Sequence, residues 1–208
     1  MADPPLTFRR LVGLDRSGGP PPQTRKGEPL NPWTIPNAIG FARLALIPVF
    51  LVVGLSSGDG RSWLAFALFA FIAWSDYFDG MAARVTGQYS RLGALLDPLT
   101  DRLLVVSGAL VAWHYETLPR WALAVLAARE LLMLGLTQMA FRRGLDLEVS
   151  MLGRWAVWPV MAALALALVV ESWVLDVLLY VGLAMTLAAT ARYLQDGVRA
   201  LRKGSTST

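Results

Sequence analysis

Six long apolar stretches set what this chain can become: residues 35–56, 63–84, 93–114, 118–141, 152–170 and 174–198. Each is near the ~20 residues that a helix needs to cross the hydrocarbon core of a bilayer. A backbone in hydrocarbon must satisfy its own hydrogen bonds, so only helices and closed barrels are open to it. None of the stretches alternates with a period of two, and their even length selects helices over barrel strands. The breaks have turn chemistry: Ser57-Gly58-Asp59-Gly60 after the first stretch, Gly87 and Gly93 around the second break, then Pro119, Gly144 and Glu171. The expectation is an all-α integral membrane bundle of six transmembrane helices.

Composition agrees. Only 16% of residues are charged and 55% are hydrophobic, where a soluble domain carries about 25% charged residues. Eight Trp and five Tyr suit belts at headgroup depth. The absence of Cys excludes disulfides, thiolate metal sites and cysteine nucleophiles. The formal net charge of +4 fits membrane topology and attraction to anionic lipid. With no basic face carrying interleaved aromatics, it does not point to nucleic acid.

Residues 1–32 read as a disordered or peripheral cytoplasmic tail, since Gly18-Gly19-Pro20-Pro21-Pro22 and Glu28-Pro29 forbid a long helix. The six-helix domain covers 33–203, and 204–208 is a polar tail. Arg9, Arg10, Arg16, Arg25 and Lys26 precede the first stretch, and Arg84, Arg91, Arg142, Arg143, Arg154, Arg192, Arg199, Arg202 and Lys203 fall on the same side of the bundle. The opposite loops hold Arg61 and Arg120. This bias makes both termini cytoplasmic, in a multi-pass protein of the plasma membrane.

An acidic residue inside a span costs roughly 2.5–3.5 kcal/mol on insertion scales. Yet Asp76, Asp79, Asp97 and Asp101 lie in two adjacent stretches, beside the short 85–92 connection. Spacings of three and four put each pair on one helix face. Antiparallel packing of the two helices would gather four carboxylates at the cytoplasmic end. Four such groups cannot all ionise unaided. Divalent cations resolve the conflict, and hard oxygen donors suit Mg²⁺ or Mn²⁺. Gly80, Ala83 and Gly93 leave room beside them, and Arg84 is within reach of a phosphate.

Residues 76–101 read D-Y-F-D-G-M-A-A-R, eight residues, then G-A-L-L-D-P-L-T-D. This resembles the signature of CDP-alcohol phosphotransferases, D-x2-D-G-x2-A-R-x8-G-x3-D-x3-D, at every fixed position: Asp76, Asp79, Gly80, Ala83, Arg84, Gly93, Asp97 and Asp101. The resemblance implies an enzyme of phospholipid synthesis that moves the phosphatidyl group of CDP-diacylglycerol to an alcohol and releases CMP. It implies two divalent ions held by Asp76, Asp79 and Asp97, with Asp101 near a metal and acting as general base. Asp76, Gly80, Ala83, Arg84 and Gly93 would cradle the nucleotide. A homodimer is implied as well.

The acceptor is less constrained. I-P-N at 35–37, A-R-E-L at 128–131 and L-G-R at 152–154 resemble the bacterial branch that uses glycerol-type acceptors. Phosphatidylglycerophosphate synthases often show D-P-x-A-D-K and a later K-x-K-T. Here Arg102 replaces that Lys, and Trp155, Ala156 and Val157 follow Arg154. The pattern looks more like actinobacterial-type cardiolipin synthases, so phosphatidylglycerol is the favoured acceptor and sn-glycerol 3-phosphate the alternative. Arg129, Arg154 and Arg192 are the acceptor-site candidates. Arg43, in the first stretch, either faces the site or seeks the interface. An ion-coupled transporter is the remote alternative, but discontinuous helices and inverted repeats are not evident.

Overall fold

The first two helices start where a side chain takes an orphan backbone N–H. Thr34 accepts from the Asn37 N–H to open α1 (Ile35–Leu55), with Pro36 in the first turn, where its missing N–H costs nothing. Ser62 does the same for Ala65 at the head of α2 (Trp63–Thr86). That helix ends on Gly87, at φ 65°, the left-handed conformation in which glycine pays no Cβ penalty. The helices α3 (Gly93–His114), α4 (Arg120–Arg143), α5 (Met151–Ala167) and α6 (Trp173–Gly204) follow. This computed structural model describes residues 31–90, 92–143 and 151–204; the side chains of Asp79, Arg84 and residues 140–143, 151–154 and 196–204 lie outside the description. Among the described residues there is no strand.

The helices run up and down. The start of α1 meets the α2–α3 connection, where the Ile35 N–H donates to Gln88 Oε1 at 3.1 Å. At the opposite end the Tyr115 hydroxyl donates to the Leu55 carbonyl at 2.6 Å, and the Ser62 N–H donates to the Leu168 carbonyl at 2.7 Å. α1 packs on α2 and α3; α3 also packs on α4 and, more lightly, on α5; α5 and α6 form a pair. Phe50, Phe69, Ile72, Leu104, Leu164 and Leu179 are fully buried between them, with the Phe50 and Phe69 rings edge to face at 5.4 Å.

The outer surface is apolar too. Trp63, Phe71, Trp74, Trp121, Leu131 and Trp158 all point outward and are exposed. A contiguous apolar exterior of this kind is a liability in water and the normal state in lipid. Four helices carry segments long and apolar enough to cross a membrane: Ile35–Leu55, Trp63–Ala83, Arg120–Met139 and Trp173–Gln195. α5 holds a shorter apolar segment, Trp155–Ala167, and α3 carries Asp97, Asp101 and Arg102. The architecture is an all-helical, multi-pass membrane bundle. The last helix runs further than its apolar stretch, to Gly204 rather than 198. Its extension is built from Ala, Leu, Arg and Lys, which favour helix in water as well as in lipid.

Candidate functional site

A charge buried in the middle of a bundle needs partners, and Arg43 on α1 has them on two neighbouring helices. Its side chain is 1% exposed. Nη1 donates to Asp76 Oδ1 at 3.0 Å, Nη2 donates to Asp101 Oδ1 at 2.8 Å, and Nε donates to the Ile72 carbonyl at 3.2 Å. One planar guanidinium thus joins α1, α2 and α3. Only an arginine fork supplies donors in that geometry.

The depths agree with the topology. Arg43 and Asp101 each lie eight residues into their helices, and Asp76 lies ten residues before the end of α2. At 1.5 Å per residue all three sit about 12–15 Å from the same end of the bundle. The Asp76 and Asp101 side chains are 45% and 51% exposed, so a ligand arriving from solvent can reach both carboxylates. Asp97 is exposed one turn before Asp101. Gly80 and Ala83 are half-buried on the last turns of α2. The side chains of Asp79 and Arg84 lie outside the described residues, although their backbone belongs to α2.

The mouth of this cleft is pinned by Asn37, which is 1% exposed. Its Nδ2 donates to the carbonyls of Asn31 and Pro32 at 2.9 and 3.1 Å. Its Oδ1 accepts the Ser90 hydroxyl at 2.7 Å, and Ser90 Oγ in turn accepts the Gly93 N–H at 2.9 Å. A Cβ on Gly93 would stand 2.8 Å from Asn37 Oδ1, so only glycine lets the head of α3 approach α1 this closely. The residues I-P-N and the signature glycine therefore serve one contact.

A second charged cluster lies deeper. Glu130 on α4 is buried and shared by two arginines: Arg102 Nη1 donates to Oε2 at 2.9 Å, and Arg129 Nη1 donates to Oε1. Arg129 Nε donates to Thr190 Oγ1 on α6 at 2.9 Å, and the Thr190 hydroxyl donates to the Thr186 carbonyl. Helical spacing alone leads one to expect that adjacent Arg129 and Glu130 look apart. They pair because both side chains are long enough to turn back along α4, and each keeps a further partner on another helix. Arg192 is exposed on α6, and the Arg154 side chain lies outside the described residues. His114, the one histidine, stacks edge-on with Tyr115 at the far end.

Sequence reasoning left two members undecided or unnamed. Arg43 was open between site and interface, and Arg102 was read only as a substitution for lysine. Their partners lie 28 to 58 positions away, and a span carrying one arginine does not name the helix it faces.

The donor chemistry fits divalent cations. Asp76, Asp97 and Asp101 offer hard oxygens and no competing sulfur or imidazole stands nearby. Two of the carboxylates are close enough to need Arg43 between them, which is the electrostatic condition that a dication relieves. Among the described residues no three metal-ligating side chains form a set; the Asp79 side chain is outside that count.

The model of the CDP-alcohol phosphatidyltransferase domain matches residues 33–188. The chain belongs to this family. The match begins just before α1 and takes in both charged clusters. A Streptomyces coelicolor protein named cardiolipin synthase (CMP-forming) is 36% identical over 174 residues, covering 79% of this chain and 80% of its own. A Mycobacterium tuberculosis protein provisionally named a cardiolipin synthase is 40% identical over 129 residues, or 62% of this chain. The chain spans 61% of that relative's length. A Bacillus subtilis CDP-diacylglycerol–glycerol-3-phosphate 3-phosphatidyltransferase is 32% identical over 145 residues, covering 64% of this chain and 75% of its own.

Proposed function

We propose that this protein transfers the phosphatidyl group of CDP-diacylglycerol to a glycerol-type acceptor, with phosphatidylglycerol as the preferred one, so that cardiolipin and CMP are the products. The observation that carries the reading is Arg43 bridging Asp76 and Asp101, because it joins the two ends of the family signature at one depth, where both carboxylates are half exposed.

Asp76, Asp79 and Asp97 would hold two Mg²⁺ or Mn²⁺ ions, with Asp101 beside them. When bound, these ions draw charge from the pyrophosphate and make CMP a better leaving group. The chain's own residues do the rest. Gly80 and Ala83 leave space for the nucleotide, Gly93 acts beside it by letting the head of α3 close onto Asn37, and Arg84 reaches one of its phosphates. Asp101 takes the proton of the acceptor hydroxyl as that oxygen bonds to the lipid-side phosphorus. The phosphorus–oxygen bond to CMP breaks, and CMP leaves with the electron pair. The acyl chains stay in the bilayer throughout, since the cleft opens near the end of the bundle.

The same reading takes all six helices as spans and both termini as cytoplasmic, in the plasma membrane, with a homodimer as the assembly. The Lys/Arg bias supports the orientation: the opposite loops hold only Arg61 and Arg120.

sn-Glycerol 3-phosphate is the second reading, supported by relatives whose names specify that acceptor. The test supplies CDP-diacylglycerol and Mn²⁺ or Mg²⁺ with either phosphatidylglycerol or glycerol 3-phosphate, and identifies the lipid formed. Cardiolipin and CMP are expected, and chelation by EDTA should abolish both until metal is returned. Phosphatidylglycerophosphate as the sole product would replace the acceptor and leave the reaction class standing.

A further inference from the structure

We propose that Arg102, with the Glu130–Arg129 pair behind it, binds the phosphate oxyanion of the acceptor. The proposal rests on the phosphatidyl-transfer reading above and adds to it the residue that recognises the acceptor.

Three observations lead there. The first is charge balance. Glu130 is the single carboxylate shared by the guanidiniums of Arg102 and Arg129, so the buried cluster holds two positive charges against one. The remaining partner, Thr190, is neutral. Asp101, next in sequence, also attracts Arg102 but is shared with Arg43, which holds Asp76 as well. The excess positive charge beside Glu130 is thus met only from the neighbouring carboxylate site, and an anion arriving at Arg102 meets a favourable field.

The second is an unused donor. Arg102 Nε is buried and has no hydrogen-bond partner, the one such side-chain atom among the described residues. A buried donor left unmade is destabilising, more so when it is charged. A phosphate oxygen is the acceptor to which arginine donors are best matched.

The third is position. Arg102 directly follows Asp101, the proposed base, and its side chain is 17% exposed. An anion held there lies next to the group that would deprotonate the acceptor hydroxyl. Arg129 takes no direct part: its Nε and Nη1 are spent on Thr190 and Glu130, and its role is to hold Glu130, which aims Arg102.

The single open donor of Arg102 suits one oxyanion. The lipid acceptor of the function proposed above is the expected occupant, though both acceptors present the same oxyanion.

The experiment compares the wild-type protein in nanodiscs with R102Q, measuring KM for CDP-diacylglycerol and for each acceptor separately. R102Q should raise the KM for phosphatidylglycerol about tenfold or more, leaving the KM for CDP-diacylglycerol within about twofold. The same rise seen with glycerol 3-phosphate alone would keep the site and assign it to the free monoester. An unchanged acceptor KM, or a fall in kcat alone, would make Arg102 a strut and overturn the proposal. If R102Q does not fold, R102K decides: it keeps the charge on Glu130 but lacks Nε and the fork, and should raise the acceptor KM roughly threefold or more. An unchanged value overturns the proposal again. A wild-type protein that forms no CMP with either acceptor would sink the transfer reading, and the site with it.

Discussion

At the scale of single residues, the arrangement turns on Arg43. Two carboxylates drawn to one guanidinium repel each other when it goes, and the Ile72 carbonyl loses its donor as well. R43M should lower stability by about 1–3 kcal/mol. A fully buried pair would cost more, but Asp76 and Asp101 are half exposed and water screens part of the loss. The effect on turnover should be larger, about 100-fold, because a displacement of about an ångström at reacting groups is enough for that. R43K should recover only part, since one ammonium does not span both carboxylates and a carbonyl. Thermal unfolding and kcat measured on the same preparations separate the two effects, and full turnover by R43M would remove Arg43 from the machinery. Asp101 and Asp79 should separate differently. D101N is expected to lose turnover while still binding CDP, and D79N to lose CDP binding, read by displacement of labelled nucleotide; equal loss of binding in both would merge their roles. The expectation of four gathered aspartates came from spacing, which fixes a helix face; of the four, Asp76 and Asp101 meet at Arg43. Arg43 was not decided by the sequence, since its role depends on two helices whose contacts lie 33 and 58 positions away.

At the scale of elements, α3 is the helix that the others position. It brings Asp97, Asp101 and Arg102, and it begins at the contact between Gly93, Ser90 and Asn37. N37A would leave the buried Ser90 hydroxyl and the carbonyls of Asn31 and Pro32 without their partner. The expected cost is about 1–3 kcal/mol. G93V puts carbon where Asn37 Oδ1 stands and should cost a similar amount, about 1–3 kcal/mol by overpacking. Each is read as a lowered unfolding temperature in detergent, and the two together should cost less than their sum because they break one contact. A fully additive double variant would show that the contact is not shared. The helix limits were well marked in the sequence: α3 was expected at 93–114 and lies there, since glycine before it and an aromatic polar cluster after it punctuate the chain. The Asn37 contact was not foreseen. I-P-N reads locally as a helix start, and only the packing of α1 against the α2–α3 connection gives the asparagine its second partner.

At the scale of the whole molecule, the two ends differ in charge economy, and that difference predicts orientation. One end carries the 31–37 and 87–93 segments and the cleft with its carboxylates and arginines. The other carries Tyr115 and the 56–62 and 168–172 segments, where Arg61 and Arg120 are matched by Glu171 and Glu116. Lys and Arg near span ends set orientation by their number; Arg84, Arg91, Arg142, Arg143 and Arg154 fall toward the cleft end against Arg61 and Arg120 at the other, so the cleft should face the cytoplasm, the side on which the proposed nucleotide-linked donor would be supplied. The chain has no cysteine, which makes single-cysteine labelling unambiguous. Ser56 and Gln88 are exposed at opposite ends. S56C should react with a membrane-impermeant maleimide in intact cells. Q88C should react only after the membrane is opened. The reverse pattern would turn the bundle over and place the cleft outside, away from the proposed donor. Labelling of both sites in intact cells would mean that the helix between them, α2, does not span the membrane, and the bundle would then have fewer crossings than helices.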